Sequence, residues 1–268
     1  MPLRLTPTFR QALGEASRPL AGIWVCTGSP LVAEICAGAG LDWVLIDMEH
    51  APNGLESVVA QLHAVSGYPV TPVVRVPIGD VVTIKQVLDL GAQNLLVPMI
   101  SSAAEAEAAV AAVRYPPRGT RGVGSALARS ARWNRVEGYL ADADEHVSLF
   151  VQIETAAGVE EAAAIAAVDG VDGVFVGPSD LAASMGVLGE QTHPDVVDAV
   201  KRTFDAVRKA GKPVGVNAFD PAVADRYLEA GATFVLVGAD VALLARGSET
   251  LAARFTLTAG NDDKRPSY

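Results

Sequence analysis

Residues 40–47 read GLDWVLID, and the same order of a glycine, a few variable residues and a short apolar run occurs three more times. A glycine can take the left-handed conformation that ends a helix, and a β-branched or leucine-rich run after it is typical of a buried strand. Each repeat therefore predicts a helix end followed by a strand. The other three repeats are GAQNLLV (91–97), GVDGVFV (170–176) and GATFVLV (231–237).

Four further segments read as strands, which brings the predicted number to eight. Most of these runs are apolar throughout rather than alternating, so both faces of the sheet should be covered, as in a parallel sheet. The additional segments are LAGIWVC (20–26), TPVVRV (71–76), SLFVQIE (148–154) and PVGVN (213–217).

Helix-start signals lie between the predicted strands. Asn53 with Glu56 and Ser102 with Glu105 have the spacing of capping boxes, and Asp220 precedes a proline at a predicted first helical position. Eight strand–helix units of this kind predict the α/β class and a (β/α)8 TIM barrel, with a doubly wound open sheet as the alternative. We expect a single barrel domain over residues 1–258 and a polar C-terminal tail over 259–268.

The composition narrows the classes of function. Of the 268 residues 50% are hydrophobic, and 21 basic against 31 acidic side chains give a net charge of -10, so nucleic acid and anionic membrane surfaces are not expected as partners. Cys26 and Cys36 have no metal-ligand spacing and are expected as free thiols in a reducing compartment. With no signal peptide or membrane-spanning run recognised, a cytoplasmic protein is predicted.

Charged and polar side chains follow several of the predicted strands. In a (β/α)8 barrel the carboxyl ends of the strands meet at one rim, which carries the active site. Convergence of carboxylates from three strands with an arginine from a fourth favours a functional role over a structural one. The rim residues are Asp47, Glu49, His50, Arg75, Gln152, Glu154, Gly177, Pro178, Ser179 and Asp180.

These residue types indicate a hard divalent cation. The five lysines lie on predicted helices, before a strand or in the tail, and the four histidines share no ligand spacing, which disfavours imine and zinc catalysis. Two carboxylates with open positions suit Mg²⁺ or Mn²⁺. Glu154 and Asp180, from adjacent strands, are the predicted ligands. The alternative is that one of them caps a helix or pairs with Arg75.

His50 and Arg75 are the other candidates for chemistry. Asp47 lies three residues before His50, where its carboxylate could set the imidazole tautomer and raise its basicity, so a base dyad is predicted. Arg75 offers a fixed cation to an anion or a developing oxyanion, with Glu49 as the group that orients it. The alternative is a purely structural Arg75–Glu49 ion pair.

The segment from Arg114 to Arg135 contains six arginines and the glycines of GTRGVGS. It does not follow a predicted strand as a P-loop does, so a phosphate-binding role is weakly indicated. Surface solvation, a subunit contact and a lid over an anionic substrate stay open as interpretations.

Seven segments together resemble the HpcH/HpaI aldolase family, the metal-dependent pyruvate aldolases that include 4-hydroxy-2-oxoheptanedioate aldolases. The resemblance covers roughly residues 10 to 255, and no single segment would establish it. The segments are DMEHAPN (47–53), VRVP (74–77), LLVPMI (95–100), YPPRGTRGVG (115–124), ARW (131–133), QIET (152–155) and VGPSDLAASMG (176–186).

This resemblance implies a barrel of the phosphoenolpyruvate/pyruvate-domain type that exchanges its last helix between subunits of a homo-oligomer, expected as a hexamer. It implies Glu154 and Asp180 as ligands of Mg²⁺, Mn²⁺ or Co²⁺, with no organic cofactor. Arg75 would stabilise an enolate, and His50 with Asp47 would govern proton transfer. The implied substrate-binding positions are Gln152, Gly177, Pro178, Ser179, Trp24, Val123 and Glu49.

The implied reaction joins a pyruvate- or hydroxypyruvate-type 2-oxo acid to an aldehyde, and cleaves the product by the reverse path. The base that removes the C3 proton is either His50 or a water that His50 and Asp47 activate. Two alternatives stay open: a related carbon–carbon lyase of the acyl-CoA lyase or decarboxylase type, and a non-catalytic metal-dependent binder of keto acids. Ser179, Trp24 and Val123 lie where the family varies, so the aldehyde is not predicted.

Overall fold

A computed structural model describes residues 3–256 of the chain. Within them eight parallel strands pair in chain order and close into a barrel, with the last strand next to the first. The predicted tail, residues 259–268, lies outside the described residues. The strands are β1 (Leu20–Val25), β2 (Trp43–Asp47), β3 (Thr71–Arg75), β4 (Asn94–Val97), β5 (Ser148–Ile153), β6 (Gly173–Val176), β7 (Val214–Asn217) and β8 (Phe234–Ala239).

Helices connect the strands and cover the outside of the barrel. Short 3₁₀ turns at Ser125–Leu127 and Ala143–His146 lie in the long connection before β5. The helices are α1 (Phe9–Glu15), α2 (Pro30–Ala37), α3 (Leu55–Val65), α4 (Val81–Asp89), α5 (Ala103–Val113), α6 (Ala156–Glu160), α7 (Ala162–Ala167), α8 (Pro178–Ser184), α9 (Pro194–Lys209), α10 (Pro221–Glu229) and α11 (Asp240–Phe255).

The (β/α)8 barrel is confirmed, and the doubly wound alternative is wrong because the sheet closes on itself. The repeated glycines have the predicted conformation: φ is 89° at Gly40, 94° at Gly91, 102° at Gly170 and 105° at Gly231. A side chain is strained at such angles, so glycine is the residue that lets each helix turn into the next strand.

The predicted helix caps agree with the structure at two of three positions. Ser102 accepts a hydrogen bond from the backbone N–H of Glu105, and Asp220 accepts one from Val223 ahead of Pro221. The capping box at Asn53 is wrong, because α3 starts after Gly54. Asn53 instead donates from Nδ2 to the backbone oxygen of Asp47 at 2.6 Å, and so braces the end of β2.

Aromatic rings fill the amino-terminal half of the barrel interior. Phe9 of α1 projects into the barrel at the amino-terminal ends of the strands. Its ring centroid lies 5.0 Å from that of Trp43 and 5.1 Å from that of Phe150. A Cβ at Gly22 or Gly215 would overlap the ring of Trp43 or Phe234, so these strand glycines make room for the rings. The interior is closed at this end, which leaves the opposite mouth for a site.

None of the helices within residues 3–256 combines the length and the apolar character that crossing a membrane requires.

Candidate active site

The pairing of β2 with β3 brings an acid and an arginine together at the mouth of the barrel. Asp47 and Arg75 are direct partners in the register of the two strands. Nε and Nη2 of Arg75 donate to the two carboxylate oxygens of Asp47, each at 2.8 Å. Both side chains are buried, with 5% of Arg75 and 1% of Asp47 exposed, so water does not compete for this bidentate pair.

Two more groups hold the guanidinium of Arg75. Its Nη1 lies 2.8 Å from Oε2 of Glu49, and its central carbon lies 4.3 Å from the ring centroid of Trp24. Burial by itself would lower the pKa of Arg75, but the hydrogen bonds and charges of Asp47, Glu49 and Glu154 outweigh it and raise the pKa. Arg75 is therefore a permanent cation in a fixed orientation.

Glu154 lies at the end of β5 and is also buried, at 2% exposure. Its Oε1 accepts the backbone N–H of Met99 at 2.8 Å, and its Oε2 accepts from Nε2 of Gln152. Burial raises its pKa to about 7, and the negative charges of Glu49 and Asp180 add to that effect, whereas the Met99 hydrogen bond and Arg75 oppose it. A cation next to Glu154 would therefore favour its ionised form.

The predicted alternation along β5 is confirmed. Val151 and Ile153 pack outward against the helices, and Gln152 and Glu154 face each other on the opposite side. Oε1 of Gln152 is buried and has no hydrogen-bond partner within residues 3–256. An unpartnered buried oxygen next to a carboxylate calls for an additional donor or a cation.

Asp180 is exposed in the first turn of α8, and its charge raises the pKa of both Glu49 and Glu154. Gly177 precedes that helix, and a Cβ there would come within 2.8 Å of Oε2 of Glu154 and 2.9 Å of Nε2 of Gln152.

Within residues 3–256 no cluster of three or more His, Cys, Asp or Glu side chains is placed to hold a metal. A cation here would have to use two carboxylates with an amide oxygen and groups from outside the chain.

The predicted Asp47–His50 dyad is not formed in the structure. Both oxygens of Asp47 bind Arg75 and also accept the backbone N–H groups of Glu49 and His50, so none is left for the imidazole. The ring of His50 is 66% exposed, and its Nε2 lies 4.0 Å from Oε2 of Glu49. Glu49 is thus the carboxylate between His50 and Arg75.

Pro178 and Ser179 begin α8 beside the mouth. Pro178 is buried, and it lines a pocket with Gln191 and Asn217. The hydroxyl of Ser179 donates to Oε1 of Gln191 at 3.0 Å. Gly177 has no side chain to cap this helix, and Pro178 has no N–H, so the uncapped backbone donors of α8 begin at Ser179.

Val123 lies apart from this group within the single chain. Its neighbours Gly122 and Gly124 pack against Lys85 and Asp89 of α4, and 60% of Val123 is exposed. The reason is the path of the chain, because the segment leaves α5 at the amino-terminal side of the barrel and returns there to β5.

The arginines of the segment from Arg114 to Arg135 are largely held outside the mouth. Arg118 pairs with Asp144 at 2.7 Å, and Arg114 lies 3.2 Å from Asp169. Arg121 is fully buried, with its guanidinium 4.5 Å from the ring centroid of Tyr115. These contacts fold the segment onto the outside of the barrel.

Two contributions at the mouth were missed by the sequence reasoning. Met99 has φ of 58°, a backbone conformation that points its N–H at Glu154, and no sequence signal in LLVPMI reveals it. Asn217 accepts a hydrogen bond from the indole of Trp24. A signal for Asn217 existed, because it is the polar residue that ends the apolar strand PVGVN.

A comparison with protein families matches residues 20–247 to the family described as HpcH/HpaI aldolase/citrate lyase. The chain is 53% identical over 247 residues to a 4-hydroxy-2-oxo-heptane-1,7-dioate aldolase of Salmonella dublin, covering 92% of this chain and 94% of that protein. It is also 53% identical over 257 residues to a hydroxypyruvate/pyruvate aldolase of Deinococcus radiodurans, covering 95% and 92%.

A comparison with solved structures finds the same barrel in an HpcH/HpaI aldolase/citrate lyase family protein from Burkholderia cenocepacia J2315. The two share 43% of their residues with a TM-score of 0.89, over 93% of this chain and 99% of that one. The similarity therefore covers most of both chains.

Proposed function

The chain belongs to the HpcH/HpaI aldolase/citrate lyase family, and from this premise we propose the reaction that its mouth performs. It is a pyruvate-type aldolase and hence a carbon–carbon lyase, as its relatives named aldolases indicate. The substrates that we propose are a 2-oxo acid of the pyruvate or hydroxypyruvate type and an aldehyde. The names of these relatives favour this activity over an acyl-CoA lyase, a decarboxylase or a non-catalytic binder.

One observation carries the proposal: a fixed arginine and a carboxylate, Arg75 and Glu154, are both buried at the carboxyl ends of β3 and β5, which open on the same mouth. Enolate chemistry needs a cation at the oxygen where negative charge develops, and it needs that cation to be in place before the charge appears. Arg75 meets this requirement, since Asp47, Glu49 and Trp24 hold it without any ligand.

The residues opposite Arg75 fit a divalent cation. They offer oxygen atoms only, which suits Mg²⁺, Mn²⁺ or Co²⁺ better than a soft metal. Oε1 of Gln152 is buried without a partner, and the charges of Asp180 and Glu49 already disfavour the ionised form of Glu154. We therefore assign Glu154 and Asp180 as the ligands, with Gln152 beside them. When bound, the ion acts as a Lewis acid toward the carbonyl of the oxo acid.

Proton transfer falls to His50. Its Nε2 takes the proton from C3 of the oxo acid, the electrons of that C–H bond form the C2–C3 double bond, and the carbonyl oxygen gains negative charge. The N–H groups of Arg75 that neither Asp47 nor Glu49 binds stabilise that charge. Oε2 of Glu49 lies 4.0 Å from Nε2 of His50, beside the positive charge that the ring gains.

The carbon–carbon bond then forms at the open side of the mouth. C3 of the enolate attacks the carbonyl carbon of the aldehyde, and the aldehyde oxygen takes back the proton that His50 holds. The carboxylate of the oxo acid lies against Gly177, Pro178 and Ser179, and it accepts hydrogen bonds from the backbone N–H groups near Ser179 and Asp180 at the uncapped start of α8. Trp24 forms the wall under Arg75.

A homo-oligomer, expected as a hexamer, is part of the proposal. In α11 only Asp240 is buried, while Leu243, Leu244, Leu251 and Phe255 are 61% to 72% exposed. Apolar side chains in such a row are typical of a covered interface, which supports an exchange of this helix between subunits. Light scattering should give a mass near six times the 27.8 kDa of the chain, and a monomer would contradict this part.

The cytoplasm is the location that we propose. Cys26 and Cys36 are free thiols, and burial raises the pKa of both, that of Cys26 to about 12. Protonated thiols of this kind are inert and typical of a reducing compartment.

The test of the function is hydrogen exchange at C3. The protein is incubated with pyruvate in D₂O, with Mg²⁺ or with EDTA, and loss of the C3 proton signal is followed by NMR. We expect exchange with Mg²⁺ and none above the buffer rate with EDTA. Addition of an aldehyde should then produce a 4-hydroxy-2-oxo acid. Absence of exchange with pyruvate and with hydroxypyruvate would overturn the proposed function.

A further inference from the structure

A half-buried amide outside the groups proposed for catalysis and metal binding lies at the end of β7, across the mouth from Arg75 in β3. Asn217 ends β7, and its Oδ1 accepts a hydrogen bond of 2.8 Å from Nε1 of Trp24 in β1. An indole N–H can only donate, so the oxygen of the amide must face the ring and Nδ2 must face away. The contact joins β7 to β1 over the intervening strand β8.

The ring that Asn217 holds is the support of Arg75. The central carbon of the guanidinium lies 4.3 Å from the ring centroid of Trp24, and Trp24 is only 7% exposed. Phe175 meets Trp24 edge-on, with the centroids 6.4 Å apart and the planes at 79°. The indole therefore has an apolar neighbour and one polar anchor, and that anchor is Asn217.

Besides the contact of its Nη1 with Glu49, two restraints act on Arg75 in different directions. Asp47 binds one edge of the guanidinium through two hydrogen bonds, which fixes the group within its own plane. The guanidinium could still rotate out of this plane, about the edge that it shares with Asp47. The ring of Trp24, which lies against its face, opposes that rotation. A rotated indole would let the guanidinium tilt, and its free N–H groups would point away from the substrate oxygen.

We propose that Asn217 is a positioning residue of the aldol reaction: by holding the indole of Trp24 it sets the plane of Arg75 toward the developing enolate oxygen. This inference rests on the proposed function of the mouth. Asn217 makes no hydrogen bond to Arg75 or to a proposed metal ligand within residues 3–256. Its effect on the reaction is therefore exerted through Trp24.

The expected effect is moderate and falls on turnover. Loss of one buried hydrogen bond of this kind changes an equilibrium or a barrier by about fivefold to tenfold. Asn217→Leu should thus lower kcat for C3 exchange by about that factor, and it should leave KM for pyruvate within about twofold, because Arg75 matters more as charge develops.

The test is a double-mutant cycle with Trp24→Phe, which keeps an aromatic face but lacks the N–H donor. If both substitutions remove the same contact, adding Asn217→Leu to Trp24→Phe should change kcat by less than about twofold. An undiminished loss in the double variant would show that Asn217 acts independently of Trp24 and would overturn the inference. Asn217→Ala replaces Asn217→Leu if the leucine variant does not fold.

A second readout does not depend on catalysis. The chain has three tryptophans, so 5-fluorotryptophan labelling gives three ¹⁹F signals, and Trp24→Phe identifies that of Trp24. Asn217→Leu should shift this signal and leave those of Trp43 and Trp133 in place. An unshifted Trp24 signal would overturn the inference even if kcat fell.

The wild-type protein separates this inference from the function on which it rests. If the wild type exchanges the C3 proton and Asn217→Leu exchanges it equally fast, only the role of Asn217 is lost. If the wild type does not exchange at all, the proposed function fails, and the role of Asn217 fails with it whatever the ¹⁹F signals show.

Discussion

The two sides of the barrel mouth differ in how their charges are satisfied. On one side Arg75 has a bidentate partner in Asp47, a second carboxylate in Glu49 and an aromatic face in Trp24. On the other side Glu154 is a buried acid with a pKa raised to about 7, next to an unpartnered oxygen of Gln152. We call the arginine side complete, because ion pairs hold Arg75 without a ligand, and the carboxylate side incomplete, because Glu154 has no ion-pair partner within residues 3–256.

The comparison shows that the fold alone positions the arginine, whereas the carboxylates need a bound cation to balance their charge. The chain's own strands fix the cation that an enolate oxygen requires, because Asp47 and Arg75 are strand partners. Glu154 and Asp180 opposite have no ion-pair partner within residues 3–256, and the charge of Asp180 raises the pKa of Glu154, so their ionised form gains most from a divalent cation. Substitutions on the two sides should accordingly have opposite consequences for stability.

The largest effect on the rate is expected for His50, the proposed base. His50→Ala should lower the rate of C3 exchange by about 10² to 10⁴, since a positioned general base contributes that range. His63→Ala, on the exposed face of α3, is the matched control. Exchange at nearly the wild-type rate in His50→Ala would transfer the role of base to another group.

On the complete side, Arg75→Ala should lower turnover by about 10² to 10³, the typical loss for one charge-stabilising contact. It should also destabilise the fold by about 3–5 kcal/mol, because Asp47 is left buried and unpaired. Arg202→Ala, which removes an arginine that is 60% exposed, should do neither. Both quantities come from initial rates and denaturant unfolding; wild-type turnover in Arg75→Ala would remove Arg75 from the chemistry.

On the incomplete side, Glu154→Gln should stabilise the metal-free protein increasingly as the pH rises. The folded pKa of Glu154 is raised from 4.5 to about 7, so the wild type loses stability as the pH rises through this window, and the glutamine variant does not. The difference should approach an order of magnitude of 3 kcal/mol above about pH 8 and vanish below about pH 4.

Thermal unfolding in EDTA at about pH 5 and about pH 8 measures this difference, and added Mg²⁺ should stabilise the wild type but not Glu154→Gln. A stability difference that does not depend on pH would show that Glu154 carries no such electrostatic cost.

The smallest expected effect is a coupling energy, which tests whether Asp47 acts on Arg75 or on His50. Asp47→Asn and Arg75→Lys should show a coupling energy of about 0.5–3 kcal/mol in turnover, as expected for residues in contact. Asp47→Asn and His50→Ala should be additive within about 0.5 kcal/mol. Coupling to His50 instead of Arg75 would restore the dyad that the sequence predicted and the structure lacks.

The strands and the rim were predictable because both follow from local patterns. β1, predicted over 20–26, spans Leu20–Val25, and β7, predicted over 213–217, spans Val214–Asn217. Once the barrel was inferred, Glu154 and Arg75 had to reach the same mouth, because parallel strands end on one side. Gln152 and Glu154 share a face for the same simple reason of alternation.

The partners of these residues were not predictable, because they depend on register and on backbone angles. Asp47 is three residues from His50 and 28 from Arg75, but the register of β2 with β3 makes the distant residue its partner. The positive φ of Met99 and the contact of Asn217 with Trp24 also depend on how strands that are distant in sequence pack side by side. Sequence spacing indicated which groups meet at the mouth but not which of them pair.

The claim on which the account depends most is that Glu154 and Asp180 share one divalent cation opposite Arg75. A crystal grown with Mn²⁺ and measured at the manganese absorption edge tests it directly. The account predicts one anomalous peak at the mouth, ligated by the carboxylates of Glu154 and Asp180 and beside Gln152. Well-ordered carboxylates that point apart, with no peak between them, would contradict it.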